Sequence, residues 1–407
     1  MSKTFFDTLE TRSADARAAD LAQALPGQIA RAQSAQGSGG MLAGVEAGAI
    51  TSVEGLAALP VLRKSDLTGA QAEHSPFGGF TALKTAEFEH VFQSPGPIYE
   101  PGRTSHDWWR GGRFLHALGV GRGDIVQNCF SYHLVPAGMM FENAARAVGA
   151  AVLPAGTGQT ELQVRAARDI GTTVYTGTPD FLKIILDRAD EMGVKLAITR
   201  AAVGGGALFP SLRQDYADRG VTCRQCYATA DIGNIAYETE ALDGMVIDEG
   251  VIVEIVRPGT GDPVPHGEVG EVVVTTLNPD YPLIRFATGD LSAILPGTSP
   301  CGRTNLRIKG WMGRADQTTK IKGMFVRPEQ VAAFVSHHEE VSRARVVATR
   351  EGEKDVMTVL IETRAANPKL YEATLLDTLK LRGKVELVPP GTLPNDGKVI
   401  EDQRSYD

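Results

Sequence analysis

Four short stretches place polar residues or glycines where they could hold a charged ligand carrying a ring. Residues 285–290 read RFATGD. An aspartate after Thr-Gly at a strand end suits a bidentate acceptor for two neighbouring sugar hydroxyls, with a capped β-turn as the plain alternative. Residues 204–209 read GGGALF after an apolar run. Three glycines let backbone approach a flat ring or a phosphate closely, but the spacing is not G-x-G-x-x-G and no acidic ribose ligand follows at the required distance. Residues 94–103, SPGPIYEPGR, follow the strand-like HVFQ. Such a turn can offer N–H groups to phosphate, or be an ordinary Pro/Gly turn. Late in the chain, LPNDGKVIEDQR (393–404) carries a Gly-Lys pair, which alone signals little.

Metal and thiol chemistry find less support. Cys129, Cys223, Cys226 and Cys301 are the 4 cysteines, too few for a disulfide framework in 407 residues. Cys223 and Cys226 form a CxxC, read either as half a zinc site or a redox pair, or as two small residues at a strand end. No second CxxC or nearby HxxxH completes a tetrahedral set. His337 and His338 fall late in an amphipathic helix and are expected to face water. No Ser/His/Asp nucleophile signature is present.

A chain of 407 residues exceeds what one core usually serves, so two or more lobes are expected. Hydrophobic residues at 43% and charged residues at 22% suit a globular protein. A net charge of −8 disfavours nucleic acid or a membrane surface as partner, while leaving room for a local basic nucleotide site. No apolar run approaches the ~20 residues of a membrane span. The opening MSKTFFDTLETRSADARAADL lacks a signal-peptide core, which predicts a cytoplasmic location.

The elements that must position these stretches follow from periodicity. Residues 1–70 read as helical, with Leu21, Leu25, Ile29 and Ala32 on one face. Gly37, Gly39, Gly40 and Gly44 are expected to loosen the chain before a short helix at 53–58. LAALPVLRKSDL (56–67) reads as a helix end, a Pro stop and a capped restart. From 85 to 240 the pattern is βα, with strands at 124–129, 150–154, 172–175 and 197–203 and helices at 136–149, 161–170 and 179–192. That predicts a largely parallel sheet covered on both faces. Residues 245–295 alternate around turn-rich GTGDPVPHGEVG, predicting an antiparallel or barrel-like β subdomain. Beyond 316, helices at 331–338 and 370–380 and strands at 344–349, 357–363 and 384–388 predict a smaller lobe.

The ordered set RFATGDL, GRADQ and KGMFVRPEQ within 281–330 resembles the domain junction of AMP-forming, adenylate-forming ligases, most of all the phenylacetate-CoA ligase branch. The resemblance runs from LAALPVLRKSDL to Lys398. It implies an α/β fold with a large nucleotide- and acyl-binding lobe at 1–314, built of αβ-layered sheets plus a β subdomain. A small mobile α+β lid at 315–407 would carry the catalytic lysine.

It also implies residue roles. The family's phosphate loop is rich in Ser, Thr and Gly and ends in Gly-Lys-Pro. Here Ser94, Gly96 and Pro101 match, Pro97 and Ile98 replace hydroxyls, Glu100 replaces the basic residue, and Arg103 stands near enough to supply charge. FSYHLVPAG (130–138) resembles the acyl-pocket wall, implying a lining of Tyr132, His133, Ala137 and Gly138; simple packing is the alternative for Tyr132 and His133. GQTE (158–161) matches a family turn. The glycine turn would place Gly205, Gly206 and Ala207 on adenine. YATAD (227–231) resembles Tyr-Gly-Leu-Thr-Glu, so Tyr227 and Ala228 would meet adenine and Asp231 would hold Mg²⁺, one methylene shorter than the usual Glu. Asp290 would take the ribose, Arg314 the nucleotide, Asp316 the hinge, Lys322 and Gly323 the pantetheine channel, and Lys398 the catalytic role. Relatives with a structural zinc draw ligands from places held here by Thr239, Val246 and Cys301; one cysteine cannot hold zinc, so none is expected.

The implied partners are ATP (leaving AMP), a small carboxylic acid and coenzyme A, with Mg²⁺ and, by branch analogy, a homodimer. The altered phosphate loop keeps open a catalytically weakened nucleotide- or acyl-binding relative. A ligase loading a protein-bound pantetheine also stays open. A dinucleotide oxidoreductase fits the βα pattern but lacks the fingerprint loop.

Overall fold

The computed structural model describes residues 5–315, 317–321, 324–351 and 354–404. The chain begins with the helix Ala14–Ser34, which starts where the Ser13 hydroxyl accepts the Ala16 N–H at 3.1 Å. Its Leu25, Ile29 and Ala32 are fully buried against Leu56, Ile252 and Ile284, as the helical spacing predicts. The glycines at 37–40 do not loosen the chain. They lie in a short helix, Gln36–Met41, and Gly37 allows close backbone contact, its N–H donating to Gly79 O at 2.8 Å. A Cβ on Gly37 would stand 2.1 Å from Gly78 O.

The predicted parallel sheet is present in part of a larger one. Its order is Ile294–Leu295, Arg307–Ile308, Met245–Ile247, Gly233–Glu238, Thr222–Thr229, Arg200–Val203, Val174–Gly177, Ile125–Asn128, Ala151–Pro154. The last five strands run parallel to their neighbours. Gly233–Glu238, Met245–Ile247 and Arg307–Ile308 extend the sheet antiparallel. Helices Ala137–Ala147, Thr160–Ile170, Pro179–Glu191 and Pro210–Asp218 intervene between the parallel strands. Alternate residues enter different cores: Ala201 and Val203 pack with Leu182 and Tyr216, while Ala202 packs with Phe141 and Val174. Burial of both faces is why these strands read as continuous apolar runs.

The sheet also decides between the two readings of CxxC. Cys223 and Cys226 are three apart on the extended strand Thr222–Thr229, so they face opposite sides. Cys223 joins the core of Leu182 and Tyr216, Cys226 that of Phe141 and Tyr237. Both are buried free thiols, and they form neither a redox pair nor half a zinc site.

A second sheet is ordered Leu62–Arg63, Phe286–Ser292, Gly270–Thr276, Val251–Val256. The smaller α+β element expected beyond 316 has strands Lys384–Val388, Lys354–Thr363, Val341–Glu351 and Ile400–Asp402 in that order. Helices Pro328–Ser336 and Lys369–Leu379 accompany them, around a core of Phe334, Val346, Val359, Ile361 and Tyr371. The strand Ile400–Asp402, parallel to Val341–Glu351, was not foreseen because it is three residues long. His338 does not face water. It lies beyond the helix end and its ring packs edge-on against Tyr371 at 4.9 Å.

By contact density the chain divides into two compact units. One comprises Met1–Val253, Val274–Phe286 and Leu295–Gly310, and the other Glu254–Val273, Ala287–Ile294 and Trp311–Asp407. No helix among the described residues is long and apolar enough to cross a membrane.

Candidate active site

In the first unit, the stretch 94–103 is not an open loop. His90–Ser94 and Ile98–Gly102 form a tight antiparallel hairpin in which Ser94 pairs with Ile98 and Phe92 with Glu100. Glu100 is fully buried. Its carboxyl is pushed up to about 7, first by burial and then by the charge of Asp231, with Ser94 and Lys64 drawing it part of the way back. Arg103 follows the hairpin, and its guanidinium is engaged by Glu89 at 3.2 Å and Asp280 at 3.3 Å.

Asp231 is buried just past the strand Thr222–Thr229. Lys64, the first residue of the helix Lys64–Glu73, donates from Nζ to Asp231 Oδ2 at 2.7 Å. Among the described residues, no hydrogen-bond partner meets the buried Asp231 Oδ1, either Glu100 oxygen or the Tyr281 hydroxyl. Burial, then the charges of Asp231 and Glu100, push the Tyr281 hydroxyl far above its ordinary range. Two acids and one ammonium thus share a low-dielectric site; among the described residues no group of three or more His, Cys, Asp or Glu side chains gathers for a metal, so a cation here would have Asp231 as its main protein ligand.

The glycine turn leaves Gly205, Gly206 and Ala207 exposed between the strand Arg200–Val203 and the helix Pro210–Asp218. Gly205 has φ +69°, a conformation that favours glycine. Beneath the turn, a Cβ on Gly204 would meet Cys226 Sγ at 3.1 Å. Tyr227 and Ala228 follow on that strand, and the register shifts between them. Such bulges bend a strand and re-aim a side chain.

Tyr132, Ala137 and Gly138 come together locally. Asn128 Nδ2 donates to the Tyr132 hydroxyl and to Gly138 O, both at 2.8 Å. A Cβ on Gly138 would lie 2.7 Å from Tyr132 Cγ, so only glycine lets that ring sit down on the helix start. His133 stands apart from this group as an exposed residue, held through its N–H to Ser131 Oγ at 3.1 Å.

In the second unit, Asp290 lies inside the strand Phe286–Ser292, directly after Thr288 and Gly289, and not in a turn or at the strand end the sequence suggests. Its Oδ1 accepts from Arg314 Nη1 at 2.9 Å and from Trp311 Nε1 at 3.1 Å, while its N–H donates to Thr288 Oγ1 at 3.2 Å. Gly289, at φ +74°, gives Arg314 its room: a Cβ there would lie 2.8 Å from Arg314 Nη2. The structure therefore joins Asp290 to Arg314 and adds Trp311, a residue 56% exposed.

Lys398 also belongs to this unit and is exposed. Among the described residues no hydrogen bond or ion pair engages its ammonium. It helps line a cavity of ≈ 270 Å³ together with Arg257, Pro258, Val331, Val335 and Arg343. The preceding Gly397, at φ +71°, is pressed onto Leu291, the neighbour of Asp290, and onto Val269. Asp316, Lys322 and Gly323 lie outside the described residues.

Sequence reasoning missed Lys64, Glu100 as a buried acid, Tyr281, Trp311 and Gln317. Lys64 showed only as a helix start in LRKSDL, and its partner is 167 positions away. Cys301, the remaining cysteine of interest, packs in the core with Tyr237 and Val246.

No model of a known protein family matches the chain. It is 30% identical over 340 residues to a phenylacetate-coenzyme A ligase of Pseudomonas putida, covering 79% of this chain and 76% of that protein. It is 28% identical over 392 residues to a phenylacetate-coenzyme A ligase of Thermus thermophilus, covering 86% and 87%. Among solved structures, an open conformation of 2-hydroxyisobutyryl-CoA ligase in complex with 2-HIB-AMP and CoA superposes with a TM-score of 0.72 over 95% of this chain and 90% of that one, at 23% identity. The fold is therefore shared with that ligase.

Proposed function

Because the chain belongs to the phenylacetate-coenzyme A ligase family, we propose that it is an AMP-forming carboxylate–CoA ligase acting on an aryl or arylacetic acid, phenylacetate foremost. The observation that carries this is the likeness to the Pseudomonas putida ligase over 79% of the chain. A carboxylate oxygen attacks the α-phosphorus of ATP and pyrophosphate leaves. The sulfur of coenzyme A then attacks the acyl carbon, AMP leaves, and the thiol proton passes to solvent.

The first step needs no general base, because the acid is already ionised at neutral pH. It needs alignment and charge compensation. In this proposal Lys398 supplies a positive charge that no other described group occupies. Asp290, steadied by Arg314, accepts the ribose hydroxyls. Gly205, Gly206 and Ala207 with Tyr227 and Ala228 receive adenine; Ser94 and Gly96 border the phosphates; Tyr132, Ala137 and Gly138 line the acid, with His133 at its exposed edge. Asp231 would hold Mg²⁺ through Oδ1, whose burial without a partner suits such a cation, and the ion bound there would offset phosphate charge. For the second step, 315–407 would swing about Asp316 and bring Lys322 and Gly323 to the pantetheine arm.

The test is ATP–pyrophosphate exchange with a panel of aryl and arylacetic acids. Exchange dependent on one of them supports the proposal. A second reading, a nucleotide- or acyl-binding relative with weakened catalysis, is favoured by the buried Glu100 in the hairpin and by the engagement of Arg103 elsewhere. ATP binding without exchange for any acid would establish that reading instead.

A further inference from the structure

Gln317 is the residue that the site assignment leaves without a role, and its side chain bonds through both its oxygen and its nitrogen. Its Oε1 accepts the backbone N–H of Val399 at 2.6 Å and of Ile400 at 2.9 Å. Its Nε2 donates to Gly397 O at 3.0 Å. One amide thus grips the main chain on both sides of Lys398, using its acceptor and its donor at once.

The grip belongs to a wider set of fastenings on the same segment. The Lys398 N–H donates to Asp396 Oδ1 at 3.0 Å, and Arg345 binds that Asp396 carboxylate. Val399 O accepts the Val346 N–H at 2.9 Å. Asn395 accepts the Val269 N–H at 2.9 Å and donates to Gly267 O at 3.1 Å. Every one of these contacts reaches backbone or flanking residues, and none reaches the Lys398 ammonium. The segment is hydrogen-bonded on both sides of the residue that carries the side chain, and the side chain is left to meet something else.

We propose that Gln317 is a positioning residue for adenylate formation: it fixes the backbone of 397–400 so that the Lys398 ammonium is presented in one place. This rests on the reading of Lys398 as the group that assists attack at the α-phosphate. Gln317 adjoins the proposed hinge at 316 and grips 397–400 from there. The lysine segment and the residue after the hinge are therefore tied within one unit. A group acting by placement loses about 100-fold in rate from a displacement of an ångström, which sets the scale of the expected effect.

The experiment compares wild type, Gln317→Ala, Gln317→Glu and Lys398→Ala in two half-reactions. One is ATP–pyrophosphate exchange with phenylacetate, and the other is phenylacetyl-CoA formation from supplied phenylacetyl-AMP and CoA. Gln317→Ala is expected to lose about 100-fold in exchange while keeping the native rate of thioester formation and the native melting temperature. Gln317→Glu keeps the acceptor for Val399 and Ile400 and loses only the donor to Gly397, so its exchange rate should fall between. Native exchange in Gln317→Ala alongside lost exchange in Lys398→Ala would overturn the positioning role and leave the lysine assignment standing. Equal losses of both half-reactions in Gln317→Ala would identify a general structural or hinge role and also overturn it. Native exchange in Lys398→Ala would instead remove the premise.

Discussion

Replacing Glu100 with Gln should stabilise the protein at alkaline pH and leave it nearly unchanged at acid pH. Glu100 is fully buried in the hairpin, and neither carboxylate oxygen has a hydrogen-bond partner among the described residues. Its carboxyl is raised from 4.5 to about 7, by burial first and by Asp231 second. At 1.36 kcal/mol per pKa unit, that displacement corresponds to about 3 kcal/mol. The folded protein holds the proton more tightly than the unfolded chain does. The stability contributed by the protonated acid is therefore complete below about 4.5 and is lost as the pH rises through about 7. Glutamine has the shape of the protonated acid and cannot ionise. Urea unfolding of both proteins in magnesium-free buffer should give closely similar midpoints near pH 4. At pH 8 the variant should be more stable by up to about 3 kcal/mol. A difference that does not change with pH, or a variant less stable at pH 8, would refute the argument that a buried, unpartnered acid sits beside Asp231.

Asp290→Asn keeps the side-chain shape but removes the negative charge that accepts from Arg314 and Trp311. Charge-assisted hydrogen bonds are worth roughly 1.5–3 kcal/mol, so kcat/KM for ATP should fall about 10- to 100-fold with little change in KM for the acid. Gly397→Ala would put a Cβ 2.8 Å from Val269 Cγ1 and 3.1 Å from the Leu291 side chain, at φ +71°. It should lower stability by about 1–2 kcal/mol and slow pyrophosphate exchange more than thioester formation. Burial pushes the thiols of Cys129, Cys223 and Cys226 up to about 12. Intact-mass measurement at pH 8 should find these three unmodified by iodoacetamide in the folded protein and alkylated after denaturation. Ready labelling of the folded protein would contradict their burial.

What was legible in the sequence was what is local. RFATGD singled out Asp290, although Thr288, Gly289 and Asp290 lie within the strand Phe286–Ser292 and not at its end. Apolar runs separated by amphipathic helices marked the parallel strands, because burial of both sheet faces removes polar positions. Leu25, Ile29 and Ala32 were found for the same reason, one helical face against one core. What depends on distant partners was not legible. Lys64 meets Asp231 across 167 positions, and Gln317 reaches Gly397 across 80. No local pattern records either pairing. The hairpin at 90–102 looked like a turn able to hold phosphate because Pro and Gly punctuate both; only the pairing of Phe92 with Glu100 shows that the acid points into a buried site. The glycines at 37–40 misled for the opposite reason. Glycine serves close backbone contact as readily as flexibility, and which of the two applies is decided by the neighbouring Gly78 and Gly79.

Product stoichiometry tests the central claim most directly. Purified protein incubated with ATP, Mg²⁺, phenylacetate and coenzyme A should yield one AMP and one pyrophosphate for each phenylacetyl-CoA, and omission of CoA should leave phenylacetyl-AMP bound to the protein. Release of ADP and phosphate, or thioester formation without AMP, would contradict an acyl-adenylate route.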